Sequence, residues 1–199
     1  MDQLVLAIVR RDGAAAVGLL EESPELAKAR IEDGATRQDA AAHYFPNIGH
    51  YVYAGDTALH VAAAAYETEV VQRLIAAGAD VQARNRRGAT ALHYAADSRP
   101  GVPRWNPEAQ AATIACLIGA GADPNCLDRS GVAPLHRAVR TRSAAAVQAL
   151  LEGGADARLK NKSGSTPMLL ATMTTGRGGS GSTEAREQQE EIIRILEAR

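Results

Sequence analysis

The chain has 199 residues, and its 22 Lys plus Arg against 23 Asp plus Glu leave a formal net charge of −1, with 46% hydrophobic and 23% charged residues. That composition excludes a wholly disordered chain, and near-neutral charge with a pI near 6.5 argues against a protein that coats nucleic acid through overall basicity. Aromatics make up only 4%, and a core rich in Ala and Leu with few rings favours short packed helices over the strands of a sandwich or barrel.

The chain opens MDQLVLAIVRRD, in which an acid, Asp2, precedes a six-residue apolar run from Leu4 to Val9 closed by Arg10 and Arg11. This is not the pattern of a secretory signal. No later stretch approaches the roughly 20 apolar residues that cross a bilayer, so a cytoplasmic protein without a membrane segment is expected. Cys116 and Cys126 lack metal-site spacing and form no disulfide framework.

From Gly55 onward the chain repeats itself. GDTALHVAAAA begins at Gly55, GATALHYAAD at Gly88, GVAPLHRAV at Gly131 and GSTPMLLAT at Gly164. The spacings are 33, 43 and 33 residues, a single period with about ten residues inserted once, as expected of stacked supersecondary units. A second phrase keeps step: LIAAGADVQARNRRG ends at Gly88, LIGAGADPNCLDRSG at Gly131 and LLEGGADARLKNKSG at Gly164. Each unit reads as two short helices and a turn. Thr57 and Thr90 suit N-caps, and Pro134 and Pro167 suit first helical turns. Val70, Val71, Leu74 and Ile75, then Ile114, Leu117 and Ile118, then Val147, Leu150 and Leu151 form one apolar stripe. Gly78, Gly121 and Gly154 stand where a left-handed residue ends a helix.

These phrases resemble the ankyrin repeat, a 33-residue unit with a TPLH box, two antiparallel helices and a GAD-containing hairpin finger. The resemblance implies an all-α ankyrin-repeat solenoid of about five units in a single domain over 1–199. Residues 1–33 serve as an N-terminal cap repeat, with Ala15, Ala16, Leu19 and Leu20 at second-helix positions, and 34–54 enlarge the first finger. Repeats follow at 55–87, at 88–130 with an insertion at 98–108 around Trp105, and at 131–163. A C-terminal cap at 164–199 carries a Gly/Ser-rich insertion at 175–183, and its last helix ends polar at Glu197, as a solenoid terminus requires.

Chemistry is sparse. His60, His93 and His136 recur in register, and the family resemblance makes them structural, bonding the backbone of the adjacent finger. His43 and His50 share the first insertion, but a metal needs three or four converging ligands and only Asp39 stands near. GRGGSG at Gly176 to Gly181 fits a phosphate-loop pattern literally, yet no βαβ context surrounds it and no Lys-Ser or Lys-Thr follows. No catalytic, cofactor-binding or metal residue is expected.

The resemblance also implies that partners are bound by the fingers and the inner face of the first helices. Mapped onto this chain, those positions include Tyr53, Asp56, Arg84, Arg86, Arg87, Asp97, Arg129, Arg140, Lys160 and Lys162, with a marked basic bias. Net charge is −6 over 1–83, +6 over 84–162 and −1 over 163–199. A concave surface of one sign speeds encounter with an opposite partner, so another protein with an acidic surface is the expected ligand. Phosphate-backbone binding and inhibition of an enzyme or toxin are the alternatives. A monomer is expected, with head-to-tail self-association between the acidic and basic segments open. Tyr44, Phe45, Tyr51 and Tyr53 crowd the first insertion, where they either contact a partner, with Tyr51 and Tyr53 as anchors, or cap the repeat stack. Abundant alanine and arginine over lysine point to a bacterial, GC-rich source.

Overall fold

The computed structural model describes residues 1–97, 105–173 and 182–199. Helices dominate, in pairs: α1 (Asp2–Val9) with α2 (Gly13–Glu22), α3 (Ala58–Ala65) with α4 (Thr68–Ala76), α5 (Ala91–Ala95) with α6 (Pro107–Gly119), α7 (Pro134–Thr141) with α8 (Ala144–Glu152), and α9 (Pro167–Thr172) with α10 (Thr183–Glu197). The odd-numbered helices pack side by side as an inner row and the even-numbered ones as an outer row. Among the described residues, five two-helix units therefore stack in the order of the sequence, an all-α solenoid.

Local signals explain where each helix starts and stops. Thr57 and Thr90 sit in extended conformation at the N-caps of α3 and α5, and Pro134 and Pro167 occupy the first turns of α7 and α9. Past α4, Gly78 turns left-handed at φ +89°. Its N–H bonds the carbonyl of Ile75 at 2.9 Å and that of Ala79 bonds Leu74 at 2.9 Å, closing two carbonyls that the helix would otherwise leave open. Gly121 and Gly154 repeat the turn at φ +96° and +91°.

The core is one continuous ribbon between the two rows. Leu4, Ile8, Leu59, Leu74, Leu92, Ile114, Leu117, Leu135, Leu150 and Ile192 are fully buried along it. In the first unit Ala16 and Leu20 join this core, whereas Leu19 is half-buried and Ala15 exposed. The end repeat needs only one covered face, which is why its second helix carries the weaker stripe. The 98–104 segment and GRGGSG at 176–181 lie outside the described residues; Trp105, at the edge of the former, is half-buried.

The enlarged first finger leaves and rejoins the stack at one point. The N–H of Gly55 bonds the carbonyl of Ile31 at 2.8 Å and the N–H of Ile31 that of Asp56 at 2.7 Å, so residues 32–54 form a closed excursion. Inside it β1 (Tyr44–Phe45) pairs antiparallel with β2 (His50–Tyr51). The excursion packs against the stack, with Ile48 and Val52 at 3% and 4% exposure. Gly34 makes the fold-back sterically feasible: a Cβ there would lie 2.4 Å from the Tyr53 carbonyl carbon. Gly34→Ala should therefore lift the excursion off the stack at a cost of about 1–3 kcal/mol. Limited proteolysis checks this, with faster cleavage within 35–54 and the helical circular dichroism retained.

Candidate functional site

Successive fingers are stitched together by backbone and by basic side chains. The N–H of Arg86 bonds the carbonyl of Ala54 and that of Arg129 the carbonyl of Arg87, both at 2.9 Å. Each finger is closed internally by one side-chain oxygen: Asn85 accepts from the N–H groups of Arg87 and Ala89, Asp128 from Ser130 and Val132, and Asn161 from Ser163 and Ser165. Across this scaffold Arg30 donates to the carbonyl of Arg84 at 2.9 Å, and Arg84 donates to that of Leu127 at 2.8 Å. Arg86 donates to the Ala35 carbonyl and Lys162 to the Arg129 carbonyl.

The consequence is electrostatic. Arg84, Arg86, Arg87, Arg129, Lys160 and Lys162 form no ion pair with a carboxylate among the described residues. Arg84, Arg86 and Lys162 donate to carbonyl oxygens and Arg87 lies over a tyrosine ring, contacts that orient a cation without neutralising it. All six residues are exposed, so a row of net positive charge runs along the finger edge.

Beneath the fingers the box histidines tie each inner helix to the next finger. The Nδ1 of His60 accepts the Thr57 N–H at 3.2 Å while its Nε2–H donates to the Ala89 carbonyl at 3.1 Å. His93 does the same with Thr90 and Val132, and His136 with Ala133 and Ser165. A ring that accepts on one nitrogen and donates on the other must be neutral. Burial pushes all three pKa values down, that of His93 to about 3. These residues are structural staples.

Asp56, which the family resemblance assigns to the contact surface, is instead fully buried. Its carboxylate accepts from the Tyr53 N–H at 2.7 Å, the Asn85 Nδ2 at 2.9 Å and the Tyr94 hydroxyl at 2.8 Å. Burial and this carboxylate together hold the Tyr94 phenol well above its ordinary pKa. The excursion explains the burial, because its hairpin lies over this part of the inner face. The ring of His50 stacks on Tyr94 with centroids 4.6 Å apart, and its Nε2 is 3.9 Å from Asp97.

Between hairpin and inner helices lies a groove of about 330 Å³. Tyr44 and Tyr51, paired across the hairpin with ring centroids 4.9 Å apart, form its outer wall and remain 38% and 39% exposed. Arg87 rests 5.0 Å over the Tyr53 ring at one end, and Arg140 lies along the groove from the last turn of α7. Arg137 joins Asp128 at 2.9 Å and Asp97 at 3.8 Å. Burial pushes the Asp128 carboxyl up, but hydrogen bonds from Val132 and Arg137 outweigh it and hold that group below the usual range.

Of the residues expected at a contact, Tyr51, Tyr53, Arg87, Asp97 and Arg140 thus line one groove, while Arg84, Arg86, Arg129, Lys160 and Lys162 lie on the finger row. His50 and Arg137 also line the groove and were not among the expected contacts. Arg137 carried a readable signal, since it directly follows the box histidine, as Tyr94 does in the preceding unit. Among the described residues no group of three or more His, Cys, Asp and Glu is arranged to hold a metal, and no described helix is long and apolar enough to cross a membrane.

Comparison with known families agrees with this architecture. A family profile for ankyrin repeats (3 copies) matches residues 16–102, and one for ankyrin repeats (many copies) matches residues 117–171. No curated protein matches the chain. Ankyrin repeats are in general protein–protein interaction modules. The paired helices, the box histidines bonded to the following finger and the two profile matches together identify the chain as a member of the ankyrin-repeat family.

Proposed function

We propose that this protein is a non-catalytic, cytoplasmic binding module that recognises an acidic protein surface through its finger row and the inner face beneath it, as an adaptor, scaffold or inhibitor. The observation that carries the reading is the set of six exposed basic residues on the fingers, none of which pairs with a carboxylate among the described residues. An acidic partner supplies the missing counter-charges, which speeds encounter and selects against basic surfaces. Burial pushes the thiols of Cys116 and Cys126 up, which keeps both protonated and argues against a nucleophilic role.

Arg129 and Lys160 test the charge directly, because their side-chain ends make no hydrogen bond among the described residues and can be reversed without removing a staple. Affinity capture from a lysate of the source cells with wild type and with the Arg129→Glu, Lys160→Glu double variant should give a protein retained by wild type alone, at matched melting temperatures. Retention of nucleic acid by wild type instead would replace this reading with phosphate-backbone binding, whose affinity falls steeply with salt.

A further inference from the structure

The groove beside the inserted hairpin is more selective than a flat basic face, and what it selects follows from its lining. Its carboxylates are matched internally: Asp97 faces His50 at 3.9 Å and Arg137 at 3.8 Å, and Arg137 also holds Asp128 at 2.9 Å. Arg87, by contrast, faces the Tyr53 ring and donates to its hydroxyl at 3.3 Å, with no carboxylate partner among the described residues. The groove lining thus carries the cations Arg87, Arg137 and Arg140 against the carboxylate of Asp97, and its surplus charge is positive. Small-molecule pockets of about 300–1,000 Å³ are mostly apolar, whereas this groove is lined by guanidinium, imidazole, carboxylate, amide and phenol groups. A polar peptide suits it better than a compact apolar ligand.

The groove also continues. Arg140 borders both it and a smaller notch of about 90 Å³ formed by Val139, Leu170, Met173 and Ile192. The combined surface crosses from the hairpin over α5 and α7 to α9 and α10, so its occupant must be elongated. Resting on the protein-binding reading above, we propose that this composite groove seats an extended acidic segment of a partner protein. Its acidic side chains are drawn to Arg87 and Arg140, its backbone runs along the Tyr44 and Tyr51 wall, and one apolar side chain fills the notch.

The test is selection of a phage-displayed library of random dodecapeptides on the whole protein, followed by fluorescence-polarisation titration of the enriched peptides. Enriched sequences should combine acidic residues with an apolar one. Arg140→Glu and Tyr51→Ala should each weaken them about tenfold or more, and Arg73→Glu, a charge reversal at an exposed position of α4 on the outer row, should bind them as wild type does. Absence of enrichment, enrichment of basic or uncharged sequences, or undiminished binding to Arg140→Glu overturns the proposal. Arg140 is exposed on the final turn of α7, which keeps that variant decisive if Tyr51→Ala loosens the hairpin. Peptides lost in the finger double variant but retained by both groove variants would remove the groove and leave the finger reading standing.

Discussion

Asp56→Ala should destabilise the protein by about 3–4 kcal/mol, because it strips the shared acceptor from a buried network and leaves its donors without partners. The carboxylate has no solvent exposure and accepts from the Tyr53 N–H, Asn85 and Tyr94. Asn85 retains its bond to the Tyr94 hydroxyl at 3.1 Å, but the Tyr53 N–H then faces a void. Asp56→Asn should cost appreciably less, since an amide oxygen still accepts and the Tyr94 hydroxyl can turn to accept from the new NH₂. Urea titration of the two variants measures the difference; equal losses would mean that the negative charge, not the hydrogen bonding, matters. Tyr94 is also the floor on which His50 stacks, so the alanine variant should loosen the hairpin before the rest of the stack.

Acid should unfold the stack in a window where carboxylates are still ionised. His60, His93 and His136 are held neutral, with pKa values below the ordinary 6.5 because they are buried. The unfolded chain therefore binds more protons than the native one as pH falls below about 6.5, and native stability drops until the folded-state values are passed, about pH 3 for His93. Each such histidine contributes up to about 1.4 kcal/mol per pH unit. Asp56, 3.9 Å from His60 Nε2, opposes the effect at that site, and Arg137 reinforces it at His93. Between pH 7 and pH 5 His93 alone should remove about 2 kcal/mol, and His60 and His136 add to the loss in the same direction. Denaturant titrations at the two pH values check the size. His93→Gln should start less stable at pH 7 and show a shallower decline, whereas an unchanged slope would mean that His93 is not held neutral.

How much of this was legible before the structure depends on whether a feature is local and periodic. The boxes around His60, His93 and His136 and the glycines at 78, 121 and 154 encode caps and turns within a few residues, so spacing alone located them. The histidine staples were legible through the family resemblance. The insertion at 34–54 was legible as a break in the period, but its docking was not, since that rests on the absence of a Cβ at Gly34 and on the burial of Ile48, contacts between segments with no shared period. That docking buries Asp56 and converts part of an open inner face into a groove. On the hairpin Ile48 and Val52 cap the stack, while Tyr44 and Tyr51 stay exposed. The tying of Arg84 and Arg86 to carbonyls was invisible as well, because it depends on the distance between fingers.

In the proposed mode of binding, partners engage the finger and groove side of the stack. Hydrogen–deuterium exchange of wild type, alone and saturated with the protein it captures, tests this most directly. Protection should concentrate in 44–53, 84–88, 127–132 and 158–163, the hairpin and the finger tips, with α4 and α8 on the opposite side unchanged. Protection confined to α4, α6 and α8, with the fingers exchanging as in the free protein, would contradict it.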